Sequence, residues 1–256
     1  MDSKTTKIVA FSDVHGNTKS FEEGVNYIKK MKDVSAIMIA GDLADYTNDN
    51  PEAAFNDLVK MFQSLEKLKI EYYFVLGNWD MFFILGLEKT KGEQLDPEEI
   101  FQGILKKAKA IRGTLILRNK VYKLNEKINI TSDRKLVNRN TIYLVHADKN
   151  IISDAFLHVE GHWGLFGQIN LDKHYLNLGF LHGGKEELTG CIWEINIEGD
   201  KVRNVIWHNI GRNLKEITCS EHKKEGLFVI PSSWKKCPVC YRPERARFSK
   251  EQGRPL

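Results

Sequence analysis

Six side chains at the ends of short apolar runs carry the donor atoms of a metal centre. The stretch KIVAFSDVHGN, residues 7–17, reads as a buried strand over 8–11 that stops at a turn carrying Asp13 and His15. An acid and an imidazole two residues apart at such an end can point at one cation. Asp offers a hard oxygen and His a borderline nitrogen, a mixture that suits Mn, Fe or Zn better than Ca or Mg. The pair alone is common in ordinary turns. It gains weight because ligand-bearing strand ends recur: Asp42 follows the run 35–40, Asn78 the run 72–76 and His146 the run 141–145, and His162 lies in the glycine-rich loop 161–164. A carboxylate between two cations can bridge them, as a two-metal site with ions ~3.5–4 Å apart requires. Asn adds a neutral oxygen where a further charge would overload the site.

A second constellation lies near the C-terminus. Cys219-x-x-His222 and Cys237-Pro-x-Cys240 are two knuckles separated by fourteen residues. Three thiolates and one imidazole make a closed tetrahedral Zn site of the structural kind. The separation is close to that of a zinc ribbon, and the apolar run 227–230 supplies a strand between the knuckles. So small a module has little core, so its zinc would supply much of the folding energy. Cys191, the remaining cysteine, reads as a small core hydrophobe.

These residues need elements to position them. Phe21, Val25, Ile28 and Met31 form a helical stripe over 18–31. Asn50-Pro51 and Asp96-Pro97 each open a further helix, with the polar residue as cap and Pro in the first turn. The order is therefore β-α-β-α-β, each strand ending on Gly and a candidate ligand. The stretch 81–87, MFFILGL, reads as a packed helix start or, alternatively, an apolar lid or partner patch. From 114 onward the period changes to that of strands, at 114–117, 121–124, 127–130, 141–145, 175–181, 192–197 and 202–207.

With 256 residues, 42% of them hydrophobic, the chain can bury one full core and a small appendage. Residues 212–256 hold 11 Lys and Arg against 5 Asp and Glu, so the tail carries about +6 of a net charge of +4 and the rest is near −2. The composition shift after Gly211 predicts a body at 1–211 and a module with a basic tail at 212–256. Basic residues from Lys223 to Arg254, interleaved with Trp234, Tyr241 and Phe248, suit phosphate contacts and base stacking, or equally a solvated tail on a zinc staple. No apolar run approaches the ~18 residues of a membrane span. A cytoplasmic protein with no membrane partner is expected, its cysteines reduced.

In this order, DVH at 13–15, GD at 41–42, GNWD at 77–80, VHA around His146 and GH at 161–162 resemble the motifs of the calcineurin-like metallophosphoesterase family over about residues 7–210. The resemblance implies an α/β fold, a four-layer sandwich of two mixed β-sheets flanked by helices, to which the zinc ribbon is added. It implies that Asp13 and His15 hold a first divalent metal, that Asp42 bridges, and that Asn78, His146 and His162 hold a second. Mn, Fe or Zn would occupy the pair, and a water made acidic by both would attack phosphorus in line. Asp42, Asn78 and Asp80 are the expected catalytic residues.

Two positions depart from the family pattern. Trp79 stands where His usually follows Gly-Asn, and indole carries no transferable proton at neutral pH; a branch of small phosphodiesterases with GNCD shares that loss. GHxH becomes GHWG, so Gly164 replaces an expected ligand, which His158, His174 or His182 would have to supply. The expected function is metal-dependent hydrolysis of phosphodiesters, with activity reduced by these two changes. The alternative is a catalytically attenuated protein of this fold that binds RNA, the ribosome or DNA through its basic module.

Overall fold

The computed structural model describes residues 5–45, 50–162, 166–181 and 190–241. One sheet contains β1 (Thr5–Phe11), β2 (Val34–Ile39), β3 (Glu71–Phe74), β4 (Gly113–Leu115), β11 (Cys191–Glu198) and β12 (Lys201–Asn209). Its order is β12-β11-β1-β2-β3-β4, with β1 to β4 parallel and β11 antiparallel to both neighbours. The other contains β5 (Tyr122–Lys123), β6 (Asn129–Thr131), β7 (Thr141–Val145), β8 (Leu157–Glu160), β9 (Gly167–Asn170), β10 (Tyr175–Asn177), β13 (Leu214–Thr218) and β14 (Leu227–Pro231). Its order is β13-β14-β9-β10-β8-β7-β6-β5, and here too parallel and antiparallel pairs are mixed. The expected pair of mixed sheets flanked by helices is present.

The residues of β1 explain the layering. Successive strand side chains point to opposite faces. Ile8 and Ala10 enter the core between the two sheets, with Trp193, Ile142 and Val159; Val9 and Phe11 enter the core under the helices, with Phe21, Phe62 and Phe74. With both faces covered, the strand reads as an unbroken apolar run rather than an alternating one.

Helices α1 (Thr18–Ile28), α2 (Pro51–Glu66), α3 (Asn78–Lys91) and α4 (Pro97–Ala108) supply that second core. Their starts follow the sequence. The side-chain oxygen of Asn17 accepts from the Ser20 amide at 2.9 Å, Asn50 from Glu52 and Ala53 at 3.1 Å, and Asp96 from Glu98 at 2.8 Å. The stretch 81–87 falls inside α3, which buries Phe83, Ile84 and Leu87 and leaves Met81, Phe82 and Leu85 exposed.

After Gly211 the chain re-enters the second sheet. Its strand β14 pairs antiparallel with β9 through Leu227–Ile169, Phe228–Gln168 and Val229–Gly167. Gln168 and Asn170 side-chain amides also donate to the carbonyls of Glu225 and Lys224, each at 2.7 Å. A small core of Phe228, Ile230, Trp234 and Cys237 closes this end, followed by the short helix α5 (Pro238–Tyr241). Trp234, expected among the exposed stacking aromatics, is 4% exposed and belongs to that core. Phe248 and the basic residues from Arg242 onward lie outside the described residues. Among the described helices none is long and apolar enough to cross a membrane.

Candidate metal centre

All six candidate ligands meet at one rim, at the carboxyl ends of parallel strands. Asp13 and His15 follow β1, Asp42 follows β2 and Asn78 follows β3 in the first sheet; His146 follows β7 and His162 follows β8 in the second. The cluster therefore spans the seam between the sheets. The turn after β1 is laddered onto the turn after β2: Asp13 N–H donates to Gly41 O at 3.1 Å, and the amides of Val14 and His15 both donate to Asp42 O, at 2.8 and 2.9 Å.

Two triads of donor atoms share Asp42, one with Asp13 and His15 and one with His146 and His162. His15 Nε2 lies 3.4 Å from Asp13 Oδ1 and 3.6 Å from Asp42 Oδ2. His146 Nε2 lies 3.2 Å from the same Asp42 Oδ2, 2.9 Å from Asn78 Oδ1 and 3.0 Å from His162 Nδ1. Bonds of about 2.0–2.2 Å to a first-row divalent ion separate neighbouring ligand atoms by about 3–3.5 Å. The spacing fits.

The hydrogen bonds around the triads aim their lone pairs inward. One oxygen of each carboxylate is held from outside: Asp42 Oδ1 accepts from the Trp79 amide at 2.7 Å, and Asp13 Oδ2 accepts from the His162 amide at 2.9 Å and from the Ser12 hydroxyl. The other oxygen of each faces the histidines. His146 Nδ1 is 2.8 Å from the Ala40 carbonyl, which can only accept, so in the neutral ring Nε2 carries a lone pair. It then faces the oxygens of Asn78 and Asp42, an arrangement that needs a proton or a cation at its centre. Burial would lower the pKa of His146, but Asp42, Asp13 and the Ala40 carbonyl outweigh it and raise it to about 9. His162 moves the other way, lowered by burial and by the neighbouring His146.

Backbone strain collects at the same residues. Asp13, His15, Asp42 and His162 have φ of 55°, 52°, 55° and 65°, in the left-handed region that few residues with a Cβ enter, Asn, Asp and His more often than the rest. Glycines beside them let the loops close. A Cβ on Gly77 would lie 2.0 Å from Asp42 Oδ1, and one on Gly161 would lie 1.9 Å from Ser12 Oγ.

Asp80 is placed differently from a group that touches substrate. It is fully buried, and each oxygen takes two backbone N–H groups: Oδ2 those of Asp42 and Gly77, both at 2.9 Å, and Oδ1 those of Leu43 and Ala44, at 3.0 and 2.8 Å. Its carboxylate clamps the loop of Asp42 to the start of α3. Burial and the Asp42 charge raise its pKa to about 6 against the pull of those amides.

Trp79 packs its indole on His15, ring centroids 3.8 Å apart, and Phe180 covers His15 at 4.8 Å. Gly164 and His182 lie outside the described residues. His158 is committed elsewhere: its Nδ1 accepts from the Ile152 amide at 3.2 Å and its Nε2 is 3.3 Å from Glu160, which also binds Tyr175. The side chain of His174 meets the Phe156 carbonyl at 3.0 Å. Ser12, the Ala40 carbonyl and Phe180 escaped the sequence reading, since nothing in their spacing marks them as supports of a ligand.

The C-terminal donors also converge. Nδ1 of His222 lies 3.4, 3.6 and 3.3 Å from the sulfurs of Cys219, Cys237 and Cys240, and the Cys219 and Cys240 sulfurs are 3.7 Å apart. A tetrahedral Zn with bonds of about 2.3 Å to sulfur and 2.0–2.1 Å to nitrogen gives edges of about 3.5–3.8 Å. Contact with His222 draws the Cys219 thiol down, while burial pushes the Cys237 and Cys240 thiols up.

The profile of the calcineurin-like phosphoesterases matches residues 6–209. The chain belongs to the calcineurin-like phosphoesterase family. Metal-dependent phosphoester hydrolysis is the chemistry of that family, and the rim is where this calcineurin-like phosphoesterase brings its candidate donors together. Among curated proteins none matches the chain in sequence. A solved structure of the Thermus thermophilus protein TT1561 is 12% identical over 81% of this chain and 100% of that one, with a TM-score of 0.50, a likeness of fold. A dimetal phosphatase from Danio rerio is 9% identical over 79% and 98% of the two chains, TM-score 0.44. A conserved uncharacterized protein from Streptococcus pneumoniae, a predicted phosphoesterase, is 14% identical over 80% and 98%, TM-score 0.36.

Proposed function

We propose that this calcineurin-like phosphoesterase hydrolyses phosphodiesters at a two-metal rim bridged by Asp42. The observation that carries the reading is the position of Asp42 Oδ2, 3.6 Å from His15 Nε2 and 3.2 Å from His146 Nε2, between the two donor triads. Asp13, His15 and Asp42 would hold one ion, and Asp42, Asn78, His146 and His162 the other, with Mn, Fe or Zn suited to the mixed oxygen and nitrogen set. Bound there, the two ions supply Lewis acidity and an acidified water for attack on phosphorus. The chain supplies the rest. The Ala40 carbonyl fixes the tautomer of His146, the amides of Trp79 and His162 orient the two carboxylates, and Asp80 holds the Asp42 loop, so Asp80 is a positioning residue rather than a catalytic one. No proton reaches the leaving oxygen from Trp79, which favours esters whose leaving group departs as an anion.

A structural Zn held by Cys219, His222, Cys237 and Cys240 completes the second sheet's far end. Exposed Lys223, Lys224, Lys235 and Lys236 beside it favour an anionic partner such as nucleic acid, while the burial of Trp234 removes one stacking surface from that second reading. Its test is salt-dependent binding to single-stranded RNA.

The test of the main reading is hydrolysis of bis-p-nitrophenyl phosphate with added Mn²⁺, beside Asp42→Ala. Mn²⁺-dependent turnover that Asp42→Ala abolishes is expected. Turnover that survives Asp42→Ala would reject the bridged rim.

A further inference from the structure

Glu160 ends β8, two residues before His162, and its side chain turns away from the core between the sheets. Leu157 and Val159 enter that core, so His158 and Glu160 point to the outer face of the second sheet. Register places Tyr143 and Tyr175 on either side of His158, and Val145 and Asn177 on either side of Glu160. The loop after His146 packs Ile152 on this face, and its Asp148 amide donates to Glu160 Oε2 at 3.3 Å, while the Tyr175 hydroxyl donates to Oε1. Only 3% of Glu160 is exposed. No side-chain cation answers its charge. His158 Nε2 lies 3.3 Å from Oε2 but out of line for a hydrogen bond, and the ring is neutral, since its Nδ1 accepts from the Ile152 amide. Arg134 pairs with Asp148 at 3.2 Å, and no Lys or Arg among the described residues forms an ion pair with Glu160.

We infer that Glu160 supplies counter-charge to the ion at Asn78, His146 and His162, acting through its field and through the loop after His146 rather than as a ligand. The inference rests on the two-ion reading above and adds a positioning residue to it. A carboxylate buried without a partner of opposite sign is costly, and the second ion is the cation its place in the strand offers. The donor sets are uneven in charge. Asp13 and Asp42 both serve the first ion, whereas the second has three neutral donors and only the shared Asp42. Glu160 evens that balance from behind the ligands. Its charge already reaches them: burial and His146 lower the pKa of His162, and Asp13, Asp42 and Glu160 oppose that fall.

Glu160→Gln removes the charge and keeps the shape. The Gln oxygen can accept from the Asp148 amide while its NH₂ donates to the Tyr175 hydroxyl oxygen, so both contacts survive. Mn²⁺ calorimetry on the rim-stripped full chain, with Zn filling the Cys219–Cys240 site, should show one of two ions bound about 10–100-fold more weakly. The urea midpoint of the metal-free variant should be unchanged or raised. Tyr175→Phe is the control for shape: it gives up a hydrogen bond and keeps the charge, so its midpoint should fall while both ions bind as in the wild type. In a His15→Ala background, which costs only the first ion a ligand, the Glu160→Gln loss should persist. Wild-type affinity for both ions in Glu160→Gln, an equal loss in Tyr175→Phe, a loss that vanishes with His15→Ala, or a Glu160→Gln chain that fails to fold each overturns the inference. Turnover of bis-p-nitrophenyl phosphate by the wild type separates the two readings. Two bound ions without turnover remove hydrolysis and leave Glu160 to be judged by the calorimetry; fewer than two bound ions remove both.

Discussion

Replacing Asp80 by Asn tests whether this acid positions the rim or takes part in the reaction. The substitution keeps size and shape but turns one oxygen into an NH₂ group. Whichever oxygen is lost, two backbone N–H donors then face a donor: Asp42 and Gly77, or Leu43 and Ala44. Two hydrogen bonds to a charged acceptor are worth about 3–6 kcal/mol together. Against this, Asn relieves a buried charge whose cost is visible in the rise of the carboxyl pKa to about 6, about 3 kcal/mol at 1.36 kcal/mol per unit. A net loss of about 0–3 kcal/mol is expected, concentrated in the loop that carries Asp42. Because outer supports of metal ligands typically matter 10–100-fold in affinity, Mn²⁺ should bind about that much more weakly. Urea denaturation of the metal-free protein gives the first number and Mn²⁺ calorimetry the second. Turnover should return when Mn²⁺ is raised. Unchanged stability and Mn²⁺ affinity with turnover lost at every Mn²⁺ concentration would refute the reasoning and place Asp80 among the reacting groups.

Other outcomes follow from the same geometry. Cys237→Ser should release one Zn per chain and loosen β14 and Trp234; retained stoichiometric Zn, measured by elemental analysis, would remove the four-ligand site. Gly161→Ala should cost about 1–3 kcal/mol by overpacking, since its Cβ would lie 1.9 Å from Ser12 Oγ and 2.6 Å from Asp13 Oδ2, and it should weaken Mn²⁺ binding; a melting temperature and affinity equal to wild type would contradict this. The raised pKa of His146, from 6.5 to about 9, means that the folded metal-free protein holds a proton the unfolded chain has lost. Its stabilisation, about 3 kcal/mol, is complete below pH 6.5 and lost as pH rises through 9. Saturating Mn²⁺ should remove that part of the pH dependence, as denaturation curves from pH 6 to 9.5 would reveal.

Five of the six candidate rim ligands are legible because each follows an apolar run with little between, and His162 because it sits in a glycine-rich loop; most of them lie beside a glycine that lets the next loop close. Residue types and order carry that much. The direction of a lone pair is another matter. Asp80 reads as one more acid beside Asn78, and only the amides of four residues around it reveal that both its oxygens face inward to the backbone. Likewise β8 escapes the sequence reading because His158 and Glu160 interrupt its apolar pattern, and their partners, the Ile152 amide on His158 Nδ1 and the Tyr175 hydroxyl on Glu160, come from elsewhere in the fold. Composition marks a change after Gly211, but the pairing of β14 with β9 depends on register between segments about sixty residues apart. Trp234 looked available for stacking because aromatics among lysines resemble a binding surface; its contacts with Phe228 and Ile230 could not be read from spacing. The left-handed backbone at His15 and His162 is a further case, since most histidines do not adopt it and the surrounding loops select it here.

The most direct test of the two-metal rim is the rate of bis-p-nitrophenyl phosphate hydrolysis against equivalents of Mn²⁺ added to protein whose rim has been stripped and whose Cys219–Cys240 site is filled with Zn. With Asp42 bridging two ions, the rate should saturate at two equivalents per chain. Saturation at one equivalent, or no hydrolysis at any Mn²⁺ concentration, would contradict it.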